Sequence, residues 1–144
     1  MPASLNPMVF MRLAVTLLIL MIFTQASIDK WMVWTAPAWF IAQFEDTWMG
    51  NLPQTPMFLS IAFVESIVAL GTFVSLVTLE WLRPPAIILR WMLAGVLFIF
   101  IMLCFGARIS GQYADAASHF FYFAGALLML YVIDYDDRKQ LGNS

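Results

Sequence analysis

The chain has 144 residues, 62% of them hydrophobic and 11% charged, with a formal net charge of −2. Soluble domains are close to half apolar and a quarter charged, so this composition excludes an ordinary water-soluble globule. Seven basic residues with no basic block exclude a nucleic-acid footprint, and a lone cysteine, Cys104, excludes an internal disulfide or a CxxC redox pair.

A membrane-crossing helix needs ~20 mostly apolar residues, because the hydrocarbon layer is ~30 Å thick and each residue rises ~1.5 Å. Four stretches qualify. The first runs from about residue 9 to 26 and opens on Arg12. Arg12, the apolar run after it and Thr24-Gln25-Ala26 also resemble a signal peptide. Three further spans follow, so an uncleaved first helix is the expectation.

Residues 27–56 form the longest connection and carry Trp31, Trp34, Trp39, Phe40, Phe44 and Trp48 among Pro37, Pro53 and Pro56. Such rings settle at the membrane–water interface. The loop is expected to run along the outer surface, with a short amphipathic helix over residues 37–49 lying flat. The second span, about 57–79, is interrupted only by Glu65. The tight turn Glu80-Trp81-Leu82-Arg83-Pro84-Pro85 follows. Its prolines end one helix and suit the start of the next, which makes the second and third spans an antiparallel hairpin. The third span covers about 86–107, with Arg90 near its start. Residues around Ser110-Gly111-Gln112 lead to the fourth, about 117–133, with His119 near its start. Backbone facing lipid has to bond to itself, so these runs are helices. The fold class is all-α: one integral membrane four-helix bundle over residues 1–144, with an aromatic-rich outer loop between helices 1 and 2.

Basic residues set the orientation. Arg12, Arg83, Arg90, Arg138 and Lys139 lie on one side, Lys30 and Arg108 on the other. The bias predicts cytoplasmic termini in a bacterial inner membrane.

Ionisable groups inside a span are costly and are functional candidates by default. Glu65 is the foremost, roughly 12 Å below the outer surface if its helix starts at Met57. It either joins two helices as a hydrogen-bonded carboxyl or handles a proton or ligand. Gln25, Asp29, Lys30, Arg108, Asp115 and His119 share its outer level. Asp115 and His119 are four residues apart and so lie on one helical face. A polar cluster of Glu65, His119, Arg108, Asp115, Gln25 and Lys30 below the aromatic loop is therefore expected. Interfacial snorkelling and capping are the plainer roles for Lys30, Arg108 and Asp115. His119 is the only histidine, which excludes bis-histidine haem ligation within the chain. It is expected to hydrogen-bond Glu65, Asp115 or a quinone oxygen. Asp134, Asp136 and Asp137 read as a solvated stop after the fourth helix, and no metal site is expected. Ala62, Glu65, Ala69 and Thr72 share one face, and Ala94-Gly95 and Ala124-Gly125-Ala126 add small residues of the kind that line helix seams.

Several of these features resemble the DoxX-like family of small four-helix membrane proteins. They are Arg12 opening the first span, Ile28-Asp29-Lys30 after it, Pro37-Ala38-Trp39-Phe40, the run Phe63-Val64-Glu65-Ser66-Ile67-Val68-Ala69-Leu70-Gly71, Arg83-Pro84 and Asp134. The resemblance implies a membrane component linked to redox chemistry; the relatives DoxD and DoxA form a thiosulfate:quinone oxidoreductase. Of the family's positions only Glu65 is carried over. The expected function is a small membrane subunit of a respiratory, photosynthetic or oxidising complex, non-catalytic alone or contacting a quinone-like ligand. A quinone-linked oxidoreductase component with its own site at Glu65 and a small transporter are the alternatives. Expected partners are membrane lipids and other membrane subunits, with no cofactor held by the chain alone and a quinone or lipid as the ligand left open.

Overall fold

The computed structural model describes residues 7–142, which form helices and turns with no strand among them. The order is α1 (Pro7–Val33), a short α2 (Ala38–Phe44), a 3-10 turn (Trp48–Asn51), α3 (Gln54–Val77), α4 (Ile87–Ile109) and α5 (Tyr113–Gly142). The four long helices are apolar enough to cross a membrane. The chain is thus an all-α membrane-type bundle.

α1 packs chiefly on α3, and α4 on α5. α3 against α4 joins the two pairs, while α1 and α5 touch over little of their length. The core is a helical stripe from each member. Val15, Ile19 and Phe23 come from α1, Val68 and Ala69 from α3, Leu89, Leu93, Val96 and Ile99 from α4, and Ala126 and Ile133 from α5. Small residues bring α3 close to its neighbours: Ala62, Glu65, Ala69 and Thr72 are all buried, as their common face predicts. A Cβ on Gly95 would lie 2.9 Å from Val68 Cγ2, so glycine permits the α3–α4 approach. The α5 run behaves differently from the seam expected of it. Only Ala126 is buried, Ala124 is exposed, and a Cβ on Gly125 would meet nothing within 4 Å. Large apolar side chains such as Phe10, Met21, Leu70, Phe121 and Leu128 point outward. That arrangement suits lipid as the surrounding solvent and not water.

Helix ends are satisfied locally. After α4, Gly111 takes φ +76, and the N–H groups of Gly111 and Gln112 donate back to Arg108 O and Ala107 O. This Schellman arrangement uses glycine because only glycine enters the left-handed region without strain. α3 ends the same way with Leu79 at φ +61, at a cost of roughly 1 kcal/mol. The turn lets Glu80 reach the next helix. Its carboxylate accepts from Ile88 N and Leu89 N at 3.0 Å and from Ser75 Oγ at 2.8 Å. The first free N–H groups of α4 therefore meet a negative charge.

Two boundaries differ from expectation. α1 runs on to Val33, because Lys30 and Trp31 bond to α3 and do not end the helix. α5 runs to Gly142, so Asp134, Asp136 and Asp137 lie within a helix and are not a solvated stop. Their charges are met by guanidinium groups from other helices. Arg12 Nη2 donates to Asp136 Oδ2 and Asp137 Oδ1, each at 2.5 Å, with Arg12 2% and Asp137 0% exposed. Asp137 Oδ2 also accepts the Ala86 N–H at 2.9 Å. Arg90 Nη1 donates to Asp134 Oδ1 at 2.6 Å, and Arg138 Nε to Asp134 Oδ2 at 2.8 Å. One end of the bundle is thus tied across α1, the start of α4 and α5.

Removing one partner of a buried ion pair leaves the other charge uncompensated, at ~3–5 kcal/mol. Arg12→Met is expected to destabilise the bundle by about 3 kcal/mol, read from denaturant unfolding in mixed micelles. An unchanged midpoint would show that the network does not hold α1 to α5.

Candidate functional site

The loop between α1 and α3 folds back over the Lys30 end of the bundle instead of forming one flat helix. Phe40 and Phe44 on α2 are buried with Ala36 and Phe58 in a small core of their own. Phe40 stacks edge-on against both Phe44 and Phe58, ring centroids 5.2 Å apart in each case. Aromatic side chains three or four apart share one helical face, which is why seven residues suffice to seat α2. The predicted segment breaks at Glu45, and the chain resumes in the 3-10 turn, where Thr47 Oγ1 accepts the Met49 N–H at 3.2 Å. Gln54 Nε2 donates to Met49 O at 2.6 Å and Leu52 O at 3.0 Å, fixing the turn to the start of α3. Gly50 is needed for this closure, since a Cβ there would come within 2.6 Å of Phe44 O. Gln43 Nε2 donates to Ser110 Oγ at 3.2 Å, pinning α2 to the turn after α4. Trp34, Trp39 and Trp48 remain exposed, as interfacial rings do.

Beneath this cover lies a cavity of about 560 Å³. Its wall is largely aromatic and thioether: Trp39, Phe40, Phe44, Phe58, Phe105 and Met49, Met57 and Met102. Its polar groups are Lys30, Glu65, Asp115 and His119, joined by Gln43, Ser60 and Gln112. Four of the six side chains expected to cluster therefore line one cavity. Glu65, 3% exposed, is paired with Lys30. Lys30 Nζ donates to Oε1 at 3.0 Å and lies 2.9 Å from Oε2, off that oxygen's hydrogen-bond direction. The ammonium also bonds Ala26 O at 3.3 Å. One turn along, Trp31 Nε1 donates to Ser66 Oγ at 2.8 Å. The extended end of α1 is thus clasped to α3 by two adjacent side chains.

His119 makes no hydrogen bond to Glu65 or Asp115; its Nδ1 is buried and without a partner among the described residues. Gln25 and Arg108 stay outside the cavity. Gln25 is exposed and donates to Asp29 Oδ1 at 2.8 Å, while Arg108 lies over the Tyr113 ring, 4.7 Å from its centroid. Both share the cavity's height but face other directions around their helices. Gln43 and Gln112 were not foreseen, because their role depends on the loop's return path. Cys104, half-buried, donates to Ala116 O at 3.5 Å and serves packing. Among the described residues no three metal-ligating side chains gather.

Comparison with protein-family models, with curated proteins and with solved structures gives no match. Function is therefore read from the site's own chemistry. The cavity joins an apolar, polarisable wall to a short row of hydrogen-bonding groups, the usual make-up of a small-molecule site. The Lys30–Glu65 pair supplies fixed donors and an acceptor with no net charge, and His119 Nδ1 adds an unengaged nitrogen.

Lys30→Met should cost about 2 kcal/mol, the cost of leaving the buried Glu65 carboxyl without its donor. Lys30→Met combined with Glu65→Leu should recover most of that loss, since an apolar pair of similar size removes both desolvation terms. Thermal unfolding of the wild type and the two variants in one detergent checks this. A double variant as weak as the single would mean that the pair is not isolated in the bundle.

Proposed function

We propose that this chain is a small subunit of a redox complex in a bacterial inner membrane, and that its outer cavity holds a quinone-like molecule. The observation that carries the reading is the presence of Lys30, Glu65, Asp115 and His119 together in the lining of one aromatic cavity of about 560 Å³. A quinone is a flat, neutral ring with two carbonyl oxygens and an apolar tail. Its ring suits a wall of Phe, Trp and Met side chains, which offer stacking and sulfur–aromatic contacts. Its oxygens accept hydrogen bonds, and Lys30 and a protonated His119 nitrogen are donors. A charged ligand fits less well, because the ammonium of Lys30 is already neutralised by Glu65 at 2.9 Å.

Reduction of a quinone to a quinol takes up two electrons and two protons. In this proposal a redox partner in the membrane supplies the electrons. Glu65, Asp115 and His119 lie where protons would be passed between the outer surface and the ring oxygens. The DoxX-like resemblance supports the same reading through Glu65, the position shared with that family. The five-to-two excess of basic residues supports cytoplasmic termini, which would set the cavity on the outer side.

The test is extraction in mild detergent followed by solvent extraction and mass spectrometry of the bound lipophiles. The expected result is a quinone recovered with the protein. Lys30→Met and His119→Phe should each lower its occupancy about tenfold, the loss of one hydrogen bond from a charged or fixed donor, while the protein stays monodisperse. Wild-type protein free of quinone, and unable to take it up from micelles, would overturn the proposal.

A further inference from the structure

At the opposite end of the bundle, on its lipid-facing side, a second groove of about 480 Å³ runs between α4 and α5. Its floor is Ala94, Leu127 and Leu130, flanked by Trp91 and Tyr131, with Arg90 and Asp134 at its mouth. Polarity along the groove is ordered. Passing inward along α4, Arg90 gives way after one turn to Ala94; along α5, Asp134 and Tyr131 give way to Leu130 and Leu127. Charge, then ring, then aliphatic floor is the sequence of surroundings that a phospholipid meets from headgroup to acyl chain.

The charges at the mouth are sorted by depth. The carboxylates turn inward: Asp137 is 0% and Asp136 13% exposed, both held by Arg12. The guanidinium groups turn outward: Arg138 is 78% exposed and Arg90 29%. Those two share the single carboxylate of Asp134. Arg90 commits Nη1 to Asp134, and its Nε lies 3.7 Å from Asp137, while Nη2 has no hydrogen-bond partner among the described residues. The three guanidinium groups of Arg12, Arg90 and Arg138 balance the three carboxylates in number, but Asp136 and Asp137 lie inward, so the face turned to the lipid presents the planar donors of Arg90 and Arg138, which suit phosphate oxygens. Trp91 and Tyr131 are largely exposed beside it, and Tyr135 stacks on Tyr131 at 6.4 Å, forming a ring platform at headgroup level.

From this ordering we infer that the α4–α5 groove is a site for an anionic phospholipid of the leaflet at the Arg90 end, its headgroup phosphate on Arg90 and Arg138 and one acyl chain along Ala94, Leu127 and Leu130. The site is independent of the outer cavity and of any quinone. A basic residue presented to an anionic headgroup favours binding by about fivefold. Phosphatidylglycerol should therefore be retained about fivefold over phosphatidylcholine with the same acyl chains.

The experiment is native mass spectrometry of delipidated protein in a neutral detergent, offered the two lipids in equal amounts. Arg138→Gln, an exposed substitution that leaves Arg90 on Asp134, should reduce the preference for phosphatidylglycerol to near parity. Leu127→Trp, which fills the floor, should lower retention of both lipids. Equal retention of the two headgroups by the wild type would overturn the inference. A full preference persisting in Arg138→Gln together with undiminished retention in Leu127→Trp would place the anion elsewhere and overturn it as well.

Discussion

Hydrocarbon offers no water to a charged group, so a charge buried among these helices must be neutralised by another part of the chain. That constraint orders the molecule. Ion pairs gather at the two ends, where α1 meets α5 through Arg12 and where α1 meets α3 through Lys30. Between them the helices offer the membrane side chains and backbone bonded to itself. α1 and α5 share little packed surface, and the short, strong contacts of Arg12 do there what side-chain interdigitation does along α1–α3 and α4–α5.

The cavity follows from the same constraint. Glu65 sits too far along α3 to reach water by itself. The extension of α1 brings Lys30 over it, and Trp31 bonds the next residue of α3. Satisfying the carboxyl from one side leaves the other side to α4, α5 and the returning loop, whose rings cannot fill the space completely. What results is a room with an apolar wall and one prepaired polar edge. A ligand entering it need not desolvate a bare charge, because the lysine and glutamate have already neutralised each other.

Much of this was legible in the chain. Span positions follow from long, mostly apolar runs, and the inward face of α3 follows from the small residues at Ala62, Ala69 and Thr72 around Glu65. Level along the bundle is legible too, and it groups Lys30, Asp115 and His119 with Glu65. Height alone does not give the direction a side chain takes around its helix, so Gln25 and Arg108 were grouped with them although they face away. The ends of α1 and α5 were hidden for a related reason. Polar residues look like stops when their partners are distant, and Arg12 lies 124 and 125 positions from the aspartates it binds. The return of α2 over the cavity depends on Phe40 and Phe44 meeting Phe58, a tertiary contact that no local pattern announces.

The sequence distance between Arg12 and its aspartates also bears on how the protein is made. Arg12 is synthesised more than a hundred residues before Asp136 and Asp137. Throughout insertion of α1, α3 and α4 the guanidinium has none of the carboxylates that finally hold it, and it must rest at the membrane surface or beside lipid phosphate. Only arrival of α5 lets it settle into its buried place. A nascent chain halted before α5 would therefore display an unsatisfied cation on its first helix, a chemical mark of incompleteness that the finished bundle conceals.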